Sequence, residues 1–233
     1  QISMQMLIPG AGGYYDPADA PGLAGFTSSM MAEGTATRTS QQIAQEQETM
    51  ASSVGVSAGG SGESATLMVS SLADNFDKSL ALAADILLNP SFPEAELGRF
   101  KTRQKAQLVQ VRTMPQFLVA ERYGRVIYGD HPSSRVAPTV ESIDKTTRDA
   151  LAAFHKAHYV PDQAIVAIVG DITLADARKK LEATFGAWKK AGATVPPVQD
   201  PAPIGPGKVY LVDRPNSVQT SLIVGTQAIN RTS

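Results

Sequence analysis

Cysteine is absent from the 233 residues, which excludes a disulfide framework and any thiolate metal site. That absence fits cytoplasm and periplasm equally. No apolar run approaches the roughly 20 residues needed to span a bilayer, so no membrane span is expected. No signal peptide is expected within these residues. There is no Lys/Arg-rich tract and the net charge is −1, so nothing supplies the electrostatic footprint of a nucleic-acid surface. No Gly-x-Ser-x-Gly elbow is present, and no Gly-rich stretch is followed by Gly-Lys-Ser/Thr. What is there is ordinary globular composition, 42% hydrophobic and 18% charged, in a chain long enough to bury a real core.

Residues 1–8 read as a strand with Ile2, Met4, Met6 and Ile8 on one side. Leu23, Phe26, Met30 and Met31 mark a helix ending at Gly34-Thr35. Ser40 is the expected N-cap of a second helix running to residue 50. Residues 52–60 and 64–71 read as paired strands. Helices follow over 75–88, 94–112, 115–128 and 146–158, then an apolar strand over 164–169 and a helix over 174–188. Residues 195–206 hold five of the 15 prolines without apolar period and read as part of a linker. Residues 208–212 and 218–225 are expected to be two more strands. Helices outnumber strands and the strands group in antiparallel pairs, so the expected class is α+β, an antiparallel-rich sheet covered by helices. The expected division is a domain over 1–190, a Pro-rich linker over 191–207, and the start of a second unit over 208–233. Gln1 opens inside a strand and the chain stops at Ser233 without a tail, so a longer protein is expected, with any targeting segment upstream.

Several short stretches stand in a characteristic order: Pro21-Gly22-Leu23-Ala24-Gly25-Phe26, then Glu33-Gly34-Thr35 with Arg38 and Ile43, then Leu88-Asn89-Pro90-Ser91-Phe92 with Glu96-Leu97, then Tyr159-Val160-Pro161-Asp162 and Val169-Gly170-Asp171. This series resembles the pitrilysin/insulinase family of zinc metallopeptidases, family M16, and specifically the first half of its paired repeat. The resemblance covers residues 1–188, and the tail over 209–229 looks like the opening of the second half. It implies the insulinase-type (LuxS/MPP-like) fold, in which two such halves make a lobe and two lobes enclose a chamber.

In active members the helix after Gly-Leu-Ala carries His-x-x-Glu-His. Two His four residues apart reach one Zn²⁺ from one helix face, the Glu acts as general base on the bound water, and a distal Glu completes the site. The resemblance puts the first His on Gly25, the Glu on Ser28, the second His on Ser29 and the distal Glu on or near Gln107. Hydroxyls and an amide are weak, neutral ligands, so this chain is expected to be inactive alone and to hold no cofactor, with zinc in a partner lobe or subunit. In active relatives the strand corresponding to residues 54–58 lies on the sheet edge beside the zinc and pairs with the substrate backbone. Peptide binding is therefore expected at Val56, Ser57 and Ala58, where small side chains let a second chain come close. The expected partners are a catalytic M16 lobe or subunit, with heterodimer formation as one form, and a peptide substrate. A bacterial periplasmic location follows from relatives alone. Inactive relatives often supply an Arg/Tyr pair from the second half. The alternative is a structural or assembly protein of the same fold with no peptidase role, as with core subunits of respiratory complexes.

Other candidates read as structural. His155 and His158 lie three apart on a helix, but Asp149 is on the wrong side to complete a metal site, so both are expected to be helix-end residues favoured by the C-terminal dipole. Ser28 and Ser29 have no base to activate them. Gly10-Ala11-Gly12-Gly13 and Gly59-Gly60-Ser61-Gly62 are expected to be hairpin turns. Arg99, Lys101, Arg103, Lys105 and Arg112 make a basic helix, more readily a solvated face than a patch for an acidic partner.

Overall fold

The computed structural model describes residues 1–213, 215–216 and 218–228. Strand β1, Ile2–Pro9, sets the frame. Ile2, Met4, Met6 and Ile8 are buried while Ser3, Gln5 and Leu7 face outward, which is the period of two that the sequence predicts. Strands β2, Ser53–Ser57, β3, Ser64–Ser71, and β4, Ile165–Gly170, join it in a sheet of order β2-β3-β1-β4. All three pairings are antiparallel. β3 buries Ala65, Leu67, Val69 and Ser71 on the same face as β1.

Helices cover that face. They are α1, Leu23–Met31; α2, Ser40–Thr49; α3, Phe76–Leu88; α4, Glu94–Val111; α5, Pro115–Tyr128; α6, Val140–Lys145; α7, Arg148–His158; and α8, Leu174–Phe185. α3 carries the widest apolar stripe, with Phe76, Leu80, Leu82, Ala83, Ile86 and Leu87 buried over β2 and β3. α1 lies beside it over β2 and packs on α7, while Phe26 of α1 meets Phe100 of α4 edge-to-face at 5.5 Å. This is the α+β class read from the sequence.

Several boundaries differ from expectation. Thr39, not Ser40, caps α2: its hydroxyl accepts from Gln42 N–H, and the Gln42 side chain accepts from Thr39 N–H at 2.9 Å. The six-residue α6 has its own Thr139–Ser142 capping box, and α7 starts only after Thr147, whose hydroxyl accepts from Ala150 N–H. The expected strands over 208–212 and 218–225 do not form. Extended residues become a strand only when a neighbour supplies ladder hydrogen bonds, and none does among the described residues. Val209 is 98% and Leu211 89% exposed. Tyr210 instead sits under the Arg122 guanidinium at 4.7 Å, and Gln227 bonds the Ile127 carbonyl. Arg214, Ser217, Ile229 and the terminal Thr232 and Ser233 lie outside the described residues.

The two Gly-rich stretches serve one contact. Gly59 to Gly62 does connect β2 to β3, but Gly10 to Gly13 is not a hairpin turn; it leads into the single 3-10 turn Gly13–Tyr15. The two press backbone on backbone: Gly10 N–H donates to Glu63 C=O and Tyr14 N–H to Gly62 C=O, both at 2.9 Å. A Cβ on Gly12 would stand 2.1 Å from the Gly62 oxygen, and one on Gly13 2.0 Å from the Gly60 oxygen.

The histidines of α7 are tethers rather than dipole-stabilised cations. His155 Nε2–H donates to the Leu87 carbonyl and His158 Nδ1–H to the Gly10 carbonyl, each at 2.7 Å. His155 stacks on Tyr159 and His158 on Phe154. Burial holds both imidazoles below their ordinary pKa, outweighing the carbonyl bonds. The basic side chains of α4 are largely paired with acids: Arg103 with Glu33, Lys105 with Asp144, Arg112 with Glu121 and Arg99 with Glu96. Such exposed pairs contribute little, about 0–1 kcal/mol each.

Gly12→Ala is expected to destabilise by about 1–3 kcal/mol or more, because only backbone surrounds the new methyl. Gly55→Ala, with nothing within 4 Å of its Cβ, is the control and should stay within about 0.5 kcal/mol of the parent. Urea denaturation of the two variants checks the contrast.

Candidate functional site

Helix α1 carries the positions at issue. It starts without a side-chain cap of its own, because Gly22 at the N-cap has φ 97°. The anchor comes from six residues upstream. Asp16 accepts from Gly22 N–H with Oδ2 and from Ala24 N–H with Oδ1, both at 2.7 Å, satisfying two of the helix's first donors. The Asp16 carbonyl accepts from the Arg135 guanidinium at 2.7 Å. Burial pushes the Asp16 carboxyl up to about 6, against the pull of the two N–H donors and Arg135. Sequence reading missed this residue. Its signal was a pair of acids, Asp16 and Asp19, ahead of a helix that opens on Gly-Leu-Ala with no Ser, Thr, Asn or Asp at the cap.

One turn into α1, Gly25 faces the end of β2. A Cβ there would lie 3.2 Å from the Ala58 carbonyl oxygen and 3.8 Å from Gly59 Cα. Ser28, only 2% exposed, turns its hydroxyl to the same place. It accepts from Ala58 N–H at 3.1 Å and donates to the Gly25 carbonyl at 3.0 Å, with the Ala58 carbonyl a longer alternative at 3.4 Å. Ser29 points to solvent. Gln107 is exposed on α4, two turns beyond Phe100, and no hydrogen bond joins it to Gly25, Ser28 or Ser29 among the described residues. The structure therefore brings Gly25, Ser28 and Ala58 together and leaves Ser29 and Gln107 apart from that cluster of contacts.

These groups do not fit a zinc ion. Gly25 has no donor atom and no room for one without moving residues 58–59. The Ser28 hydroxyl is committed to main-chain groups, which also leaves it without a base to make it a nucleophile. Among the described residues no group of three or more His, Cys, Asp or Glu converges to hold a metal. The His155 and His158 ring nitrogens are aimed at carbonyls on two different segments.

The outer edge of β2 holds the other expected site residues. Val54 N–H donates to Gln47 Oε1 of α2 at 2.7 Å, away from β3. In an antiparallel ladder, alternate residues point their N–H and C=O to the same side. Val54, Val56 and Ala58 therefore present theirs to the outer edge, where Gln47 takes the Val54 donor and Ser28 the Ala58 donor. Ser57 is exposed and Val56 half-buried.

The sequence matches the family model described as Insulinase (Peptidase family M16) over residues 1–136 and that described as Peptidase M16 inactive domain over residues 145–232. The chain belongs to peptidase family M16. Among curated relatives, an uncharacterized zinc protease of Rickettsia bellii is 27% identical over 180 residues, covering 77% of this chain and 43% of its own length. The mitochondrial-processing peptidase subunit alpha of Bos taurus is 30% identical over 132 residues, 54% of this chain and 25% of its own. Among solved structures, a peptidase M16 inactive domain from Pseudomonas fluorescens superposes with TM-score 0.79 at 29% identity, over 86% of this chain and 48% of that one. Pitrilysin, at 20% identity and TM-score 0.72, shares the fold. The chain spans about half or less of the length of these relatives. The M16 assignment agrees with the resemblance read from the ordered motifs, and the insulinase-like fold agrees with the class read from the elements.

The two kinds of titrating group in this M16 chain oppose each other. Asp16 binds its proton more tightly folded than its ordinary 3.8, so its contribution falls as pH rises from about 4 through about 6. His155 and His158 bind theirs less tightly than the ordinary 6.5, so their contribution is complete above that pH and is lost as pH drops below it. Asp16→Asn should remove the first trend and leave the loss on acidification, driven by the histidines and, toward pH 4, by carboxylates such as Asp85. Melting temperatures of parent and variant between pH 4 and 8 check this.

Proposed function

We propose that this chain is a non-catalytic part of an M16-type peptidase assembly. Its role is positional: it shapes the chamber beside a zinc-bearing lobe or subunit, on the same polypeptide or a separate one. The observation that carries this is the contact of Gly25 and Ser28 with Ala58. The helix that would present metal ligands is instead used to hold the end of a strand. The family model for the inactive domain and the Pseudomonas fluorescens neighbour support the same reading. The peptide contact expected at Val56, Ser57 and Ala58 is not part of this role, because Gln47 and Ser28 already take the Val54 and Ala58 donors of that edge. Zinc belongs to the partner in this proposal, and hydrolysis is done there.

The second reading, a structural or assembly protein of the same fold, is favoured by the edge of β2, whose Val54 and Ala58 donors are already bonded within the chain. A metal assay and a peptidase assay on the purified chain, alone and mixed with a zinc-bearing M16 relative from the same source, separate these. No stoichiometric zinc and no cleavage alone, with cleavage increased in the mixture, is the expected result. One zinc per chain with cleavage by the chain alone would overturn both readings. An inert mixture favours the assembly role.

A further inference from the structure

At the outer edge of β2, two helices each send a side chain to the strand's main-chain donors. Gln47 reaches in from α2, and Ser28 from α1. Three residues present main-chain groups on this edge: Val54, Val56 and Ala58. Gln47 Oε1 takes the first N–H at 2.7 Å and the Ser28 hydroxyl takes the third at 3.1 Å. Among the described residues no group takes the N–H of Val56, between them. An added antiparallel strand would need these donors in alternation with the C=O groups beside them. With two of the three donors held, at most one is left to a second chain.

We propose that Ser28 and Gln47 are edge-closing residues, which seal β2 against addition of an extended polypeptide by occupying its outward N–H groups. Edge strands recruit other chains unless something blunts them. β2 is short, with the sequence Ser-Val-Gly-Val-Ser, and carries no Lys, Pro or bulge to do so. The seal comes from the neighbouring helices instead. Gly25 makes it possible, because its lack of a Cβ lets α1 come close enough for the Ser28 hydroxyl to reach Ala58. The ligand class excluded is an extended peptide read through its main chain. The sealing contacts hold whether or not the chain serves a peptidase.

The test uses Ser28→Ala, Gln47→Ala and the double variant of this chain. Two readouts are taken. Amide hydrogen exchange by NMR follows Val54 and Ala58. Binding is measured to a Lys-flanked, eight-residue alternating Thr-Val peptide. Each single variant should speed exchange of the amide it frees, Ala58 for Ser28→Ala and Val54 for Gln47→Ala. Each freed donor should strengthen peptide binding about fivefold, taking a net hydrogen bond as ~1 kcal/mol, with shifts confined to residues 54–58. Unchanged protection of both amides would overturn the assignment of these side chains as the seal. Faster exchange without tighter peptide binding at β2 would overturn closure as its consequence. Gln47→Ala alters a half-buried side chain, so it keeps the test decisive if Ser28→Ala does not fold.

Discussion

Everything distinctive about this chain depends on how closely α1 approaches the end of β2. The approach is fixed at two points. Asp16 holds the first donors of the helix, and one turn later Ser28 reaches across to Ala58. Between them Gly25 leaves the gap that the Ala58 carbonyl occupies. The three conditions reinforce each other. A carboxylate at position 28 would face the Gly25 and Ala58 carbonyl oxygens, acceptor against acceptors, where the hydroxyl can both donate and accept. A larger residue at 25 would push the strand end away and break the Ser28 bond. The small side chains at 25 and 28 and the seating of the strand are thus one arrangement, not two independent features.

The stretches by which the chain resembles its family are scaffold. Thr35 and Thr37 hydroxyls and the Arg38 guanidinium all converge on Asp85 of α3, at 2.6, 2.9 and 2.8 Å, and Asn89 bonds its other oxygen. Burial would raise the Asp85 carboxyl, but these donors together hold it below its ordinary value. The Gly34-Thr35 and Asn89-Pro90 motifs, 55 residues apart, are therefore two sides of one joint, with a Thr35–Pro90 bridge between them. Asp162, from the Tyr-Val-Pro-Asp motif, likewise gathers the N–H groups of Ala191, Gly192 and Ala193, which lower its pKa and fix the chain leaving α8.

What could be read from the sequence was whatever has a period. The alternation in β1, the stripe of α3 and the limits of β3 and α5 all appear as expected because burial of one face repeats every two or 3.6 residues. What could not be read involves partners far apart in the chain. Ser28 and Ala58 are 30 residues apart, His158 and Gly10 148. The pairing of the two Gly-rich stretches has no local signature beyond glycine itself. Thr39 and Ser40 are chemically interchangeable as caps, and only the backbone angle at 39 decides between them. Residues 208–212 and 218–225 read as strands by composition, but a strand is a relation between two segments, and one segment cannot specify it.

The sheet that results is asymmetric at its two ends. β2 has two of its three outward donors held by side chains from α1 and α2. β4 has no such protection: it is apolar throughout, Ile165 and Val169 are exposed, and an apolar groove of about 550 Å³ lined by Val166, Ile168 and Leu181 runs between it and α8. A polar seal suits β2, because its outward groups sit where two helix surfaces can reach them. Among the described residues no helix side chain hydrogen-bonds the main chain of β4, and α8 packs on α3 of the covered face. Closure of β2 is therefore a property of the local helix arrangement rather than of strand composition. The Ser28 hydroxyl and the Gln47 amide oxygen govern it together, while the alternating small and apolar residues of the strand itself have little say.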